Sequence, residues 1–173
     1  MIKCFICSLS DGILKEVGST NRTHVEDYEK AISKSTKILL WVHTSNYIMK
    51  GYTKEVPLED IVSIGKKYKI PVVADLGSGS FIDMSNFDIP SEIPVSEIVK
   101  KGPDITLFSG DKMLGGPQSG IILSTKILIN IIKSNSIYRT VRCDKITIAI
   151  LDDIIRSYKK NGFLKSNLAL MLL

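Results

Sequence analysis

Short, almost wholly apolar segments alternate with helix-patterned ones along this chain, and each apolar segment runs straight into small polar residues. Ile38-Leu39-Leu40-Trp41-Val42 leads to His43, Ile70-Pro71-Val72-Val73-Ala74 leads to Asp75, and Leu107-Phe108 leads to Ser109. Strands this apolar belong to a sheet covered on both faces, so the pattern predicts an α/β fold with a mostly parallel sheet. In such sheets ligands bind beyond the carboxyl ends of the strands, where these polar residues fall.

The reading predicts strands over 13–17, 37–42, 70–76, 104–109 and 120–123. Helices are expected over about 23–33, opened by a Thr23/Glu26 capping box, and over 57–68, with Pro57 in the first turn. Further helices are expected over 94–102, over 125–133 and over 145–158, the last with Ile146, Ala149, Ile150 and Ile154 along one face. The link between the strands at 104–109 and 120–123 holds roughly ten residues and no helix, too few for a parallel crossover, so that pair is expected to be antiparallel.

The chemistry concentrates at two strand ends. Ser109-Gly110-Asp111-Lys112 is followed by Met113-Leu114-Gly115-Gly116-Pro117-Gln118. A lysine placed by a rigid strand and surrounded by glycines suits an amine that forms an imine with a flat cofactor. Asp75, at the end of another strand, suits the carboxylate that keeps a pyridine nitrogen protonated. Together they are what a pyridoxal phosphate (PLP) enzyme needs. His43 is placed to stack on the ring, Asn46 or Ser45 to bond its phenolic oxygen, and Ser109 to donate to a phosphate oxygen. Ser78, in Asp75-Leu76-Gly77-Ser78-Gly79-Ser80, completes the cofactor-binding set. A plain structural role stands beside each of these: a turn lysine, an Asx turn at Asp75, a loop-capping histidine. Arg139 and Arg142, three apart, can clamp a phosphate-like anion or line a solvated face.

Composition narrows the rest. The 173 residues are 44% hydrophobic and 24% charged, which bounds the chain to one ordinary globular domain. The net charge of +5 permits an anionic partner such as RNA, but the lysines form no aromatic-interleaved stripe. Three cysteines are no disulfide framework and point to a reducing cytoplasm. Cys4 and Cys7 lack the second pair a zinc site needs, and with two histidines no metal is expected. The apolar end, 164–173, is far shorter than a membrane span of ~20 residues, so no membrane association is expected.

Four segments carry a resemblance. Glu16-Val17-Gly18-Ser19-Thr20-Asn21-Arg22-Thr23-His24, Val42-His43-Thr44-Ser45-Asn46-Tyr47, Asp75-Leu76-Gly77-Ser78-Gly79-Ser80, and the run from Phe108 to Gly120 stand in that order. They closely resemble the bacterial L-seryl-tRNA(Sec) selenium transferases, or selenocysteine synthases. The resemblance implies an incomplete large domain of type I PLP-dependent transferases over 11–163, a non-matching segment over 1–10 and a truncated apolar tail over 164–173. It implies that Lys112 carries PLP, that Asp111 beside it takes part in catalysis, and that Arg139 and Arg142 bind the selenium donor. The implied reaction converts seryl-tRNA(Sec) to selenocysteinyl-tRNA(Sec) with selenophosphate, through an aminoacrylyl intermediate. The implied setting is a cytoplasmic homo-oligomer at full length. Family members are far longer, so these residues alone are expected to be poorly active. Two other readings are another type I PLP lyase or aminotransferase acting on a small amino acid or sugar acid, and a non-catalytic remnant of an interrupted gene.

Overall fold

A computed structural model describes residues 12–18, 21–44, 51–87 and 92–160. Among these residues four strands form one sheet in the order β1 (Leu39–Val42), β2 (Val72–Asp75), β3 (Ile105–Ser109), β4 (Gly120–Ser124). The first three are parallel and β4 runs antiparallel to β3, as the short link requires. Leu39 pairs with Val72 and Val42 with Asp75, while Asp75 pairs with Leu107. This register brings the three parallel strands to an end at one level.

Among the described residues six helices accompany the sheet: α1 (Val25–Ala31), α2 (Leu58–Tyr68), α3 (Val95–Lys100), α4 (Lys126–Ser134), α5 (Ser136–Thr140) and α6 (Lys145–Lys159). Helix α2 carries the main core. Pro57 caps it, Glu59 and Asp60 meet the positive end of its dipole, and Lys66 and Lys67 meet the negative end. Its buried face, Leu58, Ile61, Val62 and Ile64, packs with Leu39, Val72, Ala74, Leu76, Ile98 and Phe108. Each fully buried aliphatic side chain contributes about 1.5–3 kcal/mol. Gly65 lets the helix close on the sheet, because a Cβ there would strike the Val72 side chain and the Ile70 carbonyl. Val72, Val73 and Ala74 are all buried, so β2 is covered on both faces as its unbroken apolar run predicts.

Four expectations need correction. Residues 13–17 form no strand; Ile13 is 97% exposed, and an apolar run without a neighbouring strand has nothing to pair with. Helix α1 is capped one residue later than the Thr23/Glu26 box implies, with the His24 backbone N–H donating to Asp27 at 2.8 Å. In α6 the residues against the core are Leu151, Ile154 and Tyr158, whereas Ile146 and Ile150 are exposed. Two short elements were not foreseen: a 3-10 turn at Met84–Phe87, and α5, which Asn135 caps by accepting from the Ile137 N–H at 2.9 Å.

Candidate active site

The hydrogen-bond ladder between strands continues past their ends and fixes the loops that carry the predicted residues. His43 N–H donates to the Asp75 carbonyl at 2.8 Å, Leu76 N–H to the Leu107 carbonyl at 2.9 Å, and Ser109 N–H to the Gly77 carbonyl at 3.1 Å. His43, Asp75 and Ser109 are therefore neighbours across three strands, all half-buried. The His43 ring stacks on Trp41, two residues back on the same face of β1, with centroids 5.8 Å apart and planes 20° apart. That contact orients the imidazole. The Asp75 carboxylate accepts the Gly77 N–H at 3.0 Å, so the Asx turn and the strand-end placement coexist.

Lys112 lies in the loop joining β3 to β4. The loop is pinned at its base by Gly110 N–H donating to the Ser119 carbonyl at 2.9 Å, and folded on itself by Gly116 N–H to Gly110 at 2.7 Å. Gly115 N–H bonds the Lys112 carbonyl at 2.9 Å. A Cβ at Gly110 would run into Ser119, and one at Gly116 would press on the Gly110 carbonyl, so the turn closes only with glycine at both positions. Leu114 is fully buried beneath it, and Tyr158 of α6 donates to the Leu114 carbonyl at 3.2 Å. With their backbone held in this way, the Asp111 and Lys112 side chains stand exposed.

The loop after β2 is held just as firmly. Gly79 has φ +73° and packs so closely on Phe108 that a Cβ would enter its ring. Ser78 is 5% exposed and its hydroxyl donates to the Glu92 carboxylate. Glu92 is the residue that sequence reasoning missed. Burial holds its carboxyl above the ordinary range, outweighing the smaller opposite influence of Lys112 and His43. Its partners lie far along the chain, so no local motif marks it. The available signal was a lone carboxylate in Ile89-Pro90-Ser91-Glu92-Ile93-Pro94.

Arg139 on α5 and Arg142 just beyond it line one hollow of about 560 Å³, with Tyr138, Cys143, Asp144 and Lys145. Among the described residues neither guanidinium is in an ion pair. Asp144 is occupied as the cap of α6, accepting from Ile146 N–H at 2.7 Å and Thr147 N–H at 2.9 Å. The bonds from Thr147 hold its carboxyl below the ordinary range. None of the strand-end residues lines this hollow, so the described residues form two separate groups. Asn46, like Ser45, Cys4, Cys7 and the 164–173 tail, lies outside the described residues. Among those described, no helix is long and apolar enough to cross a membrane.

The strand-end group fits PLP as a donor set: a primary amine at Lys112 for its aldehyde, a carboxylate at Asp75 for its ring nitrogen, and an oriented imidazole at His43. The fold agrees. The chain superposes on D-glucosaminate-6-phosphate ammonia-lyase with a TM-score of 0.72 and 25% identity, covering 88% of this chain and 37% of that one. It superposes on the PLP-bound C-S lyase of Staphylococcus hominis with a TM-score of 0.56 and 15% identity, covering 93% and 41%. The architecture is thus that of the type I PLP-dependent enzymes.

Within that class the match is narrower. Residues 6–173 match the L-seryl-tRNA selenium transferase family, and the chain belongs to it. It is 50% identical over 149 residues to the L-seryl-tRNA(Sec) selenium transferase of Nitratidesulfovibrio vulgaris, covering 86% of this chain and 32% of that protein. With the enzyme of Desulfotalea psychrophila it shares 48% over 153 residues, covering 88% and 33%. The chain spans about a third of the length of the curated relatives it matches.

Proposed function

We propose that this chain carries the PLP-holding part of a seryl-tRNA(Sec) selenium transferase, which makes selenocysteinyl-tRNA(Sec) using selenophosphate. The observation that carries the reading is the register pairing Asp75 with Leu107, which sets the carboxylate beside the strand leading to Lys112, within a chain of this family. When bound, PLP supplies an electron sink for charge developing at the serine Cα.

The chain's own residues supply the rest. The Lys112 amine would hold the cofactor through its aldehyde and, when free, would take the serine Cα proton. Asp75 keeps the ring nitrogen protonated, and the Gly77 N–H at 3.0 Å orients its carboxylate for that task. His43, braced by Trp41, would stack on the ring, Ser109 would donate to a phosphate oxygen and Asn46 to the phenolic oxygen. Asp111 stands next to Lys112, placed to assist departure of the serine hydroxyl. Arg139 and Arg142 would hold selenophosphate; its selenium would form the bond to the Cβ from which the serine hydroxyl leaves as water, and water would split the P–Se bond, releasing phosphate. The family reading carries with it a cytoplasmic homo-oligomer.

Adding PLP should give the visible absorption band of a lysine imine. Borohydride reduction should then fix the added mass on the peptide holding Lys112. Absence of both would overturn the reading. The likeness to an ammonia-lyase favours one second reading, a lyase acting on an amino sugar acid. Turnover of that substrate class, with seryl-tRNA(Sec) untouched, would establish it in place of the first.

A further inference from the structure

We infer that Tyr158 is a positioning residue, which braces the loop carrying Lys112 against the loop that follows Asp75. The inference deepens the PLP reading and rests on it. One face of α6 lies against the β3–β4 loop. Leu151 sits so near that a Cβ added at Gly110 would come within 3.3 Å of it, and one at Gly116 within 3.0 Å. About two turns further along the same face, the Tyr158 hydroxyl donates to the Leu114 carbonyl at 3.2 Å and lies 3.5 Å from that of Met113. Met113 and Leu114 directly follow Lys112.

The ring of Tyr158 meets the other loop. It packs on Phe81 with centroids 5.3 Å apart, and Phe81 meets Phe108 edge-on at 5.9 Å. Phe108 is the side chain on which Gly79 closes. Asp75, Gly79 and Phe81 belong to one short stretch, so a single side chain touches both loops, the ring on the side of the carboxylate and the hydroxyl on the side of the amine. This link is one that the backbone ladder of the sheet does not supply. PLP must reach Asp75 with its ring nitrogen and Lys112 with its aldehyde, so the spacing of the two loops matters to its capture.

The test is Tyr158→Phe in the whole chain, which keeps the ring on Phe81 and removes only the donor. Backbone hydrogen exchange of the peptide covering 112–118 should quicken roughly three- to tenfold, the range for loss of one neutral hydrogen bond, with α2 and β2 unchanged. The PLP concentration that half-saturates borohydride trapping on Lys112 should rise by roughly the same factor. Acetylation of Lys112 by acetic anhydride, which needs no such alignment, should stay level with that of Lys133, a split that loss of fold would not give. Unchanged exchange, a rise shared by the whole fold, or unchanged PLP capture would each overturn the inference. Should Tyr158→Phe not fold, Phe81→Leu cuts the other arm of the brace; faster exchange confined to the two loops supports the role, and none refutes it. Exchange needs no PLP, so it judges Tyr158 alone, whereas failure of the unsubstituted chain to capture PLP counts against the reading beneath.

Discussion

The strand-end loops and the three C-terminal helices are built in opposite ways. The loops after β2 and β3 are polar in sequence yet bury Leu76, Ser78, Ser80 and Leu114 to 5% exposure or less. Helices α4 and α6 are rich in isoleucine, yet no residue of α4, α5 or α6 is fully buried, and only α6 lays partly buried side chains on the core. Ile127 and Ile146 are each 74% exposed. The contrast teaches that apolar content alone does not say where a chain is held rigid. Rigidity here follows backbone hydrogen bonds and glycine-mediated close contacts, and it is spent where side chains must be aimed.

The comparison breaks most sharply at Lys112. Lys112→Ala should abolish borohydride-trapped PLP altogether, while Lys133→Ala on α4 should leave trapping intact; mass analysis of the reduced protein distinguishes them. Next in size is packing. Leu114→Ala, under the lysine loop, should destabilise the fold by about 2–5 kcal/mol in denaturant unfolding, with the cavity adding to lost transfer energy. Gly79→Ala should cost about 1–3 kcal/mol, since a side chain there meets both an unfavourable φ and the Phe108 ring.

A smaller effect concerns pH. The folded-state carboxyl of Glu92 is raised above its unfolded value, so its contribution to stability is complete below the unfolded pKa of about 4.5 and is lost as pH rises through the folded value. Relative to Glu92→Gln, the unsubstituted protein should therefore lose melting temperature as pH climbs from about 4.5 toward neutrality. The opposite slope would contradict a burial-dominated site. Smallest of all, Ile146→Ser in the exposed region should change stability by no more than about 0.5 kcal/mol.

How much of this was legible in the sequence follows the same division. Strands β1 to β3 were readable because an unbroken apolar run has few other fates, and the antiparallel β4 because loop length alone excludes a crossover. The placement of Asp75 was readable because it ends a strand, and that of Lys112 because a glycine-rich turn follows one. Residues 13–17 misled because strand propensity says nothing about whether a partner exists. Ile146 and Ile150 misled because a helical stripe shows that one face is apolar, without showing that anything packs on it. The His24 cap, with its backbone N–H on Asp27, sits one residue from the box that sequence favoured, a difference within ordinary helix-end variation. Glu92 was illegible for another reason. Its hydrogen bond from Ser78 joins two loops that only the folded chain brings together.

The closure of the β3–β4 loop has a mechanical consequence. Because Gly110 and Ser119 are stitched at the neck and Gly116 folds back onto Gly110, the segment bearing Lys112 behaves as a short stiff arm bolted to the sheet. On the proposed reading, its ammonium would release a bound group and regain it by turning about side-chain bonds alone. Such a return stroke would need no rearrangement of the scaffold that anchors the loop.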